Sequence, residues 1–228
     1  MAVSIKSARE IELMREAGKR LAHVHQELEA MIAPGISTWE IDAKGEKLIR
    51  DCGCIPNFLH YNGYPASICV SVNDEVVHGI PRKDRYLKEG DIVSLDAGLI
   101  YKGYHSDAAR THAVGKVSTE AQKLMDVTKQ SFFEGIKMAK EGQHLHDISR
   151  AIEEYVTPYG YGIVRDLVGH GIGTALHEDP QIPNYAQKRR GVRLQAGMTL
   201  AIEPMINAGT WQVRFLRDGW TVVTKDGS

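Results

Sequence analysis

A cryptic repeat is the feature that most constrains the fold of this 228-residue chain. Four glycine or acidic positions recur at a constant offset of 107 residues: Gly35, Gly53, Gly90 and Asp96 are followed by Gly142, Gly160, Gly197 and Glu203. Glycine marks turns and helix ends, so a constant offset indicates two halves with the same succession of turns. We expect one domain over residues 1–228, with pseudo-repeats at about 1–118 and 119–228.

Both halves begin with the same order of predicted helices. In the first half, a capping box at residues 7–10 precedes a long amphipathic helix, and a second box at 37–40 opens a helix to about Asp51. The long helix has an apolar face formed by Ile11, Met14, Leu21, Leu28 and Ile32. In the second half, Thr119 opens the longer helix and residues 145–157 form the shorter one. Two such halves would pack as a pseudo-two-fold pair.

Carboxylates concentrate on a predicted hairpin in the first half. Residues 91–96 alternate like a strand, Lys102 and Gly103 form a turn, and residues 104–114 return antiparallel. We therefore expect Asp96 and Asp107 to meet across the hairpin. The repeat places Glu203 at the position equivalent to Asp96, so the pseudo-two-fold axis should bring those two face to face. Neighbouring carboxylates repel each other unless a cation joins them, which favours metal binding.

Imidazoles complete this candidate donor set. His170 lies in the segment Gly-His-Gly-Ile-Gly, and His177 follows it by seven residues, just before Glu178-Asp179-Pro180. One histidine beside several oxygen donors suits Mn²⁺, Fe²⁺ or Co²⁺ better than it suits a cysteine-rich structural zinc site. The three cysteines form no even framework and are expected to remain thiols.

Four separated segments carry a resemblance to a known family. They are VNDEVVHGIP at 72–81, DIVSLDAGLIYKGYHSDAARTHAVG at 91–115, LVGHGIGTALHEDP at 167–180 and MTLAIEPMINAG at 198–209. In order and spacing the chain resembles the type I methionine aminopeptidases of the creatinase and prolidase superfamily of metallopeptidases. This resemblance implies an α+β "pita-bread" fold, in which helices cover a pseudo-two-fold curved antiparallel sheet. It also implies one catalytic domain that removes initiator methionine from nascent peptides.

The resemblance also implies a set of metal ligands. Asp107, His170 and Glu203 would hold one divalent ion, and Asp96 with Asp107 would hold a second. The ions, Co, Mn, Fe or Zn, would activate water for attack on the first peptide bond. His177 would hydrogen-bond the scissile carbonyl oxygen and His78 the scissile nitrogen, while Glu203 could also transfer protons.

Substrate-binding residues follow from the same resemblance. The methionine pocket would be lined by Phe58, Tyr61, Tyr64, Cys69 and Trp220, with His78 and His177 beside the scissile bond. Methionine is long, unbranched and soft, so apolar and aromatic walls suit it. Leu176 stands where the family usually has phenylalanine, which would widen or soften one wall. The family prefers a small second residue.

One element of the family pattern lies beyond Ser228. The family has a further glutamate that bridges both ions from a final strand, and that strand is absent from this sequence. Asp218 and Asp226 occupy turns and are not expected to replace it. We therefore expect one ion or none to bind tightly, impaired activity, and an unpaired strand at about 220–225 with exposed hydrogen-bonding edges.

Two alternatives to an active methionine aminopeptidase stay open. The chain could be a non-catalytic pita-bread homologue that binds a peptide or a protein, or an X-Pro peptidase of the same superfamily. A binding protein has no chemical need for the whole set of His78, Asp96, Asp107, His170, His177 and Glu203. The intact set favours the enzyme.

Composition bounds the partners and the location. The formal net charge is −1, so no basic field favours nucleic acid. No apolar run approaches the roughly 20 residues of a membrane span, and the charged N-terminal segment lacks the apolar core of a signal peptide. We therefore expect a cytoplasmic monomer without membrane contact. Its partners would be nascent peptides, with the ribosome nearby.

Overall fold

A computed structural model describes residues 3–228 and contains helices and antiparallel strands. The helices are α1 (Ala8–Glu29), α2 (Thr38–Asp51), α3 (Thr119–Lys137) and α4 (Leu145–Val156). Short 3₁₀ turns occur at Tyr61–Gly63 and Thr157–Tyr159. Across residues 3–228, no helix is both long enough and apolar enough to cross a bilayer.

The strands are short except for one long hairpin. They are β1 (Ile55–Pro56), β2 (Ile68–Val72), β3 (Glu75–Val77), β4 (Ile92–Tyr101), β5 (Tyr104–Ala113), β6 (Gly162–Ile163), β7 (Gly169–Gly171), β8 (Glu178–Ile182), β9 (Leu200–Ala201), β10 (Ile206–Asn207), β11 (Val213–Phe215) and β12 (Val222–Thr224). All of their pairings are antiparallel. Strand β4 pairs with β1, β2 and β5; β6 pairs with β10; β12 lies between β11 and β3; and β7 lies between β8 and β9.

Local sequence explains how the helices begin and which faces they bury. Both predicted capping boxes form. The Ser7 and Ser37 hydroxyls each accept a hydrogen bond from the backbone N–H of Glu10 and Glu40, whose carboxylates in turn accept one from the serine backbone N–H. The buried face of α1 consists of Ala17, Leu21, Val24, His25 and Leu28. Ile32 was expected on this face but lies beyond the end of α1, although it still packs against the first hydrophobic core.

The repeat is visible in backbone geometry. Equivalent glycines have nearly the same positive φ: 92° and 87° at Gly35 and Gly142, 69° and 76° at Gly53 and Gly160, and 91° and 92° at Gly90 and Gly197. The bridge Ser37–Tyr86 recurs as His144–Arg193, and the pair Ile55–Ile100 recurs as Gly162–Asn207. Each half also has its own buried core, one around β2 and β4 and one around α4. Both halves therefore use the same turns at the same offset.

The segment expected to form an unpaired strand is paired on both sides. Strand β12 lies between β11 and β3, and its three residues are buried. Val222 pairs with Val77, which belongs to the first half of the sequence. The expectation of exposed edges was wrong because it considered only partners in the second half.

A carboxylate and imidazole cluster beside a buried aromatic cluster

The β4–β5 hairpin supplies two carboxylates on one face. In its register Asp96 pairs with Ala109 and Asp107 pairs with Gly98, so the two aspartates are diagonal neighbours on the same side of the sheet. Their side chains are close enough to share a hydrogen bond. On the other side of β4, Cys69 of β2 lies directly opposite Asp96.

The second half contributes a histidine and a glutamate. His170 on β7 pairs with Ala201 on β9, and Glu203 follows β9 by two residues. His170 Nε2 lies 3.2 Å from Glu203 Oε1 and 3.8 Å from Asp107 Oδ2. His170 Nδ1 lies 2.8 Å from the Gly171 carbonyl oxygen, to which it can donate. In the neutral ring this arrangement places the Nε2 lone pair toward the carboxylates, as in histidines that bind metals.

The close approach of three carboxyl groups shifts the pKa values of the cluster. Burial raises the pKa of Asp96 well above its usual range, and the neighbouring Asp107 and Glu203 carboxylates raise it further. Burial, followed by Glu203, raises the pKa of Asp107 to about 7. Burial would lower the pKa of His170, but the Glu203 carboxylate outweighs burial and raises it. A cation within the cluster would relieve this repulsion.

The donor set fits a divalent ion. Glu203 Oε1 is buried and accepts no well-aligned hydrogen bond, although the His170 nitrogen is near. An unpartnered carboxylate oxygen beside an imidazole lone pair suits a cation with mixed oxygen and nitrogen ligands. Within residues 3–228, no three such side chains already surround a common point at coordination distance. Binding an ion therefore requires these side chains to turn toward it.

Two further histidines border the cluster. The rings of His177 and His170 have centroids 4.2 Å apart, and Tyr61 Oη lies 2.8 Å from His177 Nδ1. His78 follows β3 with a left-handed backbone, φ 59°, and its ring centroid lies 6.4 Å from that of Trp220. Burial lowers the pKa of both His78 and His177, so both rings are neutral at pH 7.

A buried apolar and aromatic cluster adjoins these histidines. Its buried members are Phe58, Tyr64, Ala66, Cys69, Ile172 and Leu176, and Met14, Tyr61, Ile80 and Trp220 pack against them. The structure thus brings together the five side chains that the sequence suggested for a methionine pocket. Tyr64 and Trp220 meet edge to face with centroids 5.1 Å apart.

Sequence reasoning missed several contributors to this cluster. Ala66 lies in none of the four segments, and Ile80 lies in the segment at 72–81, where only His78 was singled out. Ile172 lies inside the Gly-His-Gly-Ile-Gly segment, whose glycines drew attention to His170 instead. The hydrogen bond between Tyr61 and His177 joins residues 116 positions apart and has no local signal.

The fold and the cluster together define a metallopeptidase type of site. The model of metallopeptidase family M24 matches residues 12–225, so the chain belongs to that family. It is 53% identical to a methionine aminopeptidase of Clostridium acetobutylicum over 99% of this chain and 90% of that protein. It is 52% identical to methionine aminopeptidase 1 of Bacillus subtilis over 97% of this chain and 89% of that protein. Within the family, the chain therefore groups with the methionine aminopeptidases.

Solved structures agree with this grouping. The crystal structure of methionine aminopeptidase from Thermotoga maritima superposes with a TM-score of 0.97 at 46% identity, covering all of this chain and 91% of that one. The predicted pita-bread architecture is thereby confirmed. The family is metal-dependent, in agreement with the donor set described above.

Proposed function

We propose that this protein removes the N-terminal methionine from peptides by metal-assisted hydrolysis of the first peptide bond. One observation carries the proposal: the apolar cluster around Cys69 directly adjoins the carboxylate and imidazole cluster. Cys69 lies opposite Asp96, and the loop after His170 supplies Ile172 and Leu176 to the apolar cluster. We take this apolar cluster as the lining of a methionine pocket, so a side chain bound there would place its own backbone at the carboxylates. The names of the relatives support this activity.

We assign the ions to the four convergent side chains. Asp107, His170 and Glu203 would hold the first divalent ion, and Asp96 with Asp107 would hold a second, more weakly bound one. Mn²⁺, Fe²⁺, Co²⁺ and Zn²⁺ all accept such mixed ligands. When bound, the metal lowers the pKa of a water molecule and so makes a nucleophile available at neutral pH.

The chain's own groups then handle the substrate. The Tyr61 hydroxyl donates a hydrogen bond to Nδ1 of His177, so the ring carries its own proton on Nε2. Through this N–H, His177 donates a hydrogen bond to the scissile carbonyl oxygen as negative charge develops there. Glu203, through the carboxylate oxygen that does not hold the ion, takes a proton from the attacking water and delivers it to the leaving nitrogen. His78 holds that nitrogen through a hydrogen bond.

Specificity for methionine follows from the pocket walls. The unbranched thioether chain fits among aromatic rings and the Cys69 thiol, and sulfur contacts with aromatic rings are favourable. Leu176 is smaller than the phenylalanine usual in the family and softens one wall. We expect a small second residue in the substrate and a monomeric enzyme. Nascent chains with their initiator methionine are made in the cytoplasm, so we place the reaction there, near the ribosome.

A peptide panel tests the assignment. The purified chain would be freed of metal with EDTA, reloaded with Mn²⁺, and incubated with Met-Ala-Ser, Leu-Ala-Ser, Met-Trp-Ser and Ala-Pro-Ser. We expect release of free methionine from Met-Ala-Ser, much less cleavage of the others, and none without metal. Preferred cleavage before proline would favour an X-Pro peptidase. Tight binding of Met-Ala-Ser without cleavage at any Mn²⁺ concentration would favour the non-catalytic homologue.

A further inference from the structure

Residues 5–10, which include the first turn of α1, contact the second half of the molecule. We call this segment the strap. Lys6 Nζ lies 2.5 Å from Glu178 Oε2, although the two residues are 172 positions apart, and only 4% and 14% of their side chains are exposed. The Lys6 amide donates to the Gly197 carbonyl oxygen at 2.8 Å. Glu10 accepts a 2.8 Å hydrogen bond from Tyr104 on β5. The strap is therefore held at three separate points.

Glu178 connects this strap to the loop that carries His177. Its Oε1 accepts hydrogen bonds from the Ala175 amide at 3.2 Å and the Thr174 hydroxyl at 3.5 Å. Burial alone would raise the pKa of Glu178, but hydrogen bonds from Lys6 and the Ala175 amide outweigh burial and lower it. The carboxylate is therefore charged at neutral pH and fixes the turn before His177.

The strap packs tightly on this loop. A Cβ atom built at Gly173 would clash with Lys6 Cε and Glu178 Oε1, so a larger residue there would force the Lys6 and Glu178 side chains to shift. A buried ion pair is by itself weak evidence for stability, because desolvation offsets the attraction between the charges. Its location next to a histidine of the site indicates a different use.

We propose that Lys6 is a positioning residue, which holds the loop at residues 173–178 through Glu178 and thereby keeps the His177 ring on the Tyr61 hydroxyl. Without Lys6, the largely buried Glu178 carboxylate loses its counter-charge, and the loop loses its tie to the strap. Because His177 is the adjacent residue, its ring would move with the loop. A misplacement of about 1 Å can reduce a rate by about 10²-fold. The kinetic consequence rests on the proposed function of His177; the change in ring position does not.

The experiment compares Lys6→Met with Lys19→Met in the full chain. Lys19 also pairs with a glutamate, Glu16, but both side chains are exposed, so it is a matched control. With Mn²⁺ and Met-Ala-Ser, we expect Lys6→Met to lower kcat by about 10- to 100-fold with little change in KM, and Lys19→Met to change neither. In the zinc-loaded protein with ¹³C-labelled histidine, the His177 ring signal should shift in Lys6→Met only.

A double variant separates positioning from folding. Lys6→Met/Glu178→Gln leaves no unpaired buried charge, so its unfolding midpoint should return close to that of the wild type while kcat stays low. Recovery of kcat in the double variant would overturn the proposal, as would an unmoved His177 signal in Lys6→Met. If the wild type cleaves no peptide, the proposed function fails. Positioning is then decided by the ring signal alone, whose shift supports it and whose constancy refutes it.

Discussion

The two neighbouring histidines of the site differ in what contacts their Nδ1 atoms. In His170, Nδ1 faces the Gly171 carbonyl oxygen, so the neutral ring carries its proton on Nδ1 and its lone pair on Nε2. In His177, Nδ1 faces the Tyr61 hydroxyl, which can donate to it and leave the proton on Nε2. One ring is thus prepared to bind a cation and the other to donate a hydrogen bond, although their centroids are 4.2 Å apart.

His177→Ala tests this division at the level of one residue. We expect the variant to keep nearly all of its bound metal, because His177 is not among the proposed ligands. Its kcat for Met-Ala-Ser should fall by about 10²- to 10³-fold, the usual loss for one donor to a developing oxyanion. Metal analysis and steady-state kinetics provide the check, with His23→Ala on the exposed face of α1 as control. Wild-type kcat in His177→Ala would remove this residue from the mechanism.

Metal uptake should depend on pH through the buried aspartates. Burial and Glu203 raise the pKa of Asp107 to about 7, so this carboxyl group is largely protonated at pH 6 without metal. An ion needs the carboxylate, and binding must therefore release protons and become tighter as pH rises through 7. Calorimetric titration with Mn²⁺ at pH 6.5 in two buffers of different ionisation enthalpy measures the number of protons released. Equal heats of binding in both buffers would contradict proton release.

At the scale of elements, helix α1 contains a buried neutral histidine. Burial lowers the pKa of His25 from 6.5 to about 4, while its hydrogen bond with the Ala108 carbonyl opposes that effect. Above pH 6.5 the residue is neutral in both states and contributes nothing. Between pH 6.5 and 4 only the unfolded chain binds the proton, so the free energy of unfolding should fall by about 3 kcal/mol over that range.

The variant His25→Gln isolates this contribution. Denaturant titrations at several pH values should show a shallower loss of stability below pH 6.5 than in the wild type. The exposed His23 lies on the same helix, so His23→Gln is the matched control for the substitution. Equal slopes for wild type and His25→Gln would show that His25 titrates normally in the folded protein.

Equivalent turns of the two halves allow a matched comparison of glycines. Gly90 and Gly197 have φ of 91° and 92°, so alanine should cost about 1–2 kcal/mol of backbone strain at either position. A Cβ at Gly197 would lie 2.6 Å from the Lys6 carbonyl oxygen, whereas the nearest atom to one at Gly90 is 3.8 Å away. Gly197→Ala should therefore be clearly the more destabilising. Equal unfolding midpoints would contradict contact with the strap.

Elements encoded by neighbouring residues could be predicted from the sequence. The capping boxes mark the starts of α1 and α2, and the Lys102-Gly103 turn sets the β4–β5 hairpin. Contacts between distant segments could not be predicted in this way. The pairing of β12 with β3 and the ion pair of Lys6 with Glu178 depend on how the two halves pack, for which no local pattern exists.

At the scale of the whole molecule, the repeat explains why the cluster draws on both halves. Asp96 and Asp107 come from the first half, and His170 and Glu203 come from the second. The offset pairs Asp96 with Glu203 but assigns no partner to His170. Ala201 and Ser94 are equivalent at the offset of 107, and they pair with His170 and Ser71 respectively. His170 and Ser71 therefore occupy equivalent places on neighbouring strands, but their positions in the sequence do not differ by 107. The repeat therefore does not identify His170 as a ligand, which was suggested instead by the Gly-His-Gly-Ile-Gly segment and by the resemblance to a family.

Side chains from both halves should bind one divalent ion. Crystals of this chain grown with Mn²⁺ and measured near the manganese absorption edge would test it most directly. We predict an anomalous peak at about 2.0–2.2 Å from oxygen atoms of Asp107 and Glu203 and from Nε2 of His170. A well-ordered structure with no peak among these atoms at saturating Mn²⁺, or with its only peak elsewhere, would contradict the account.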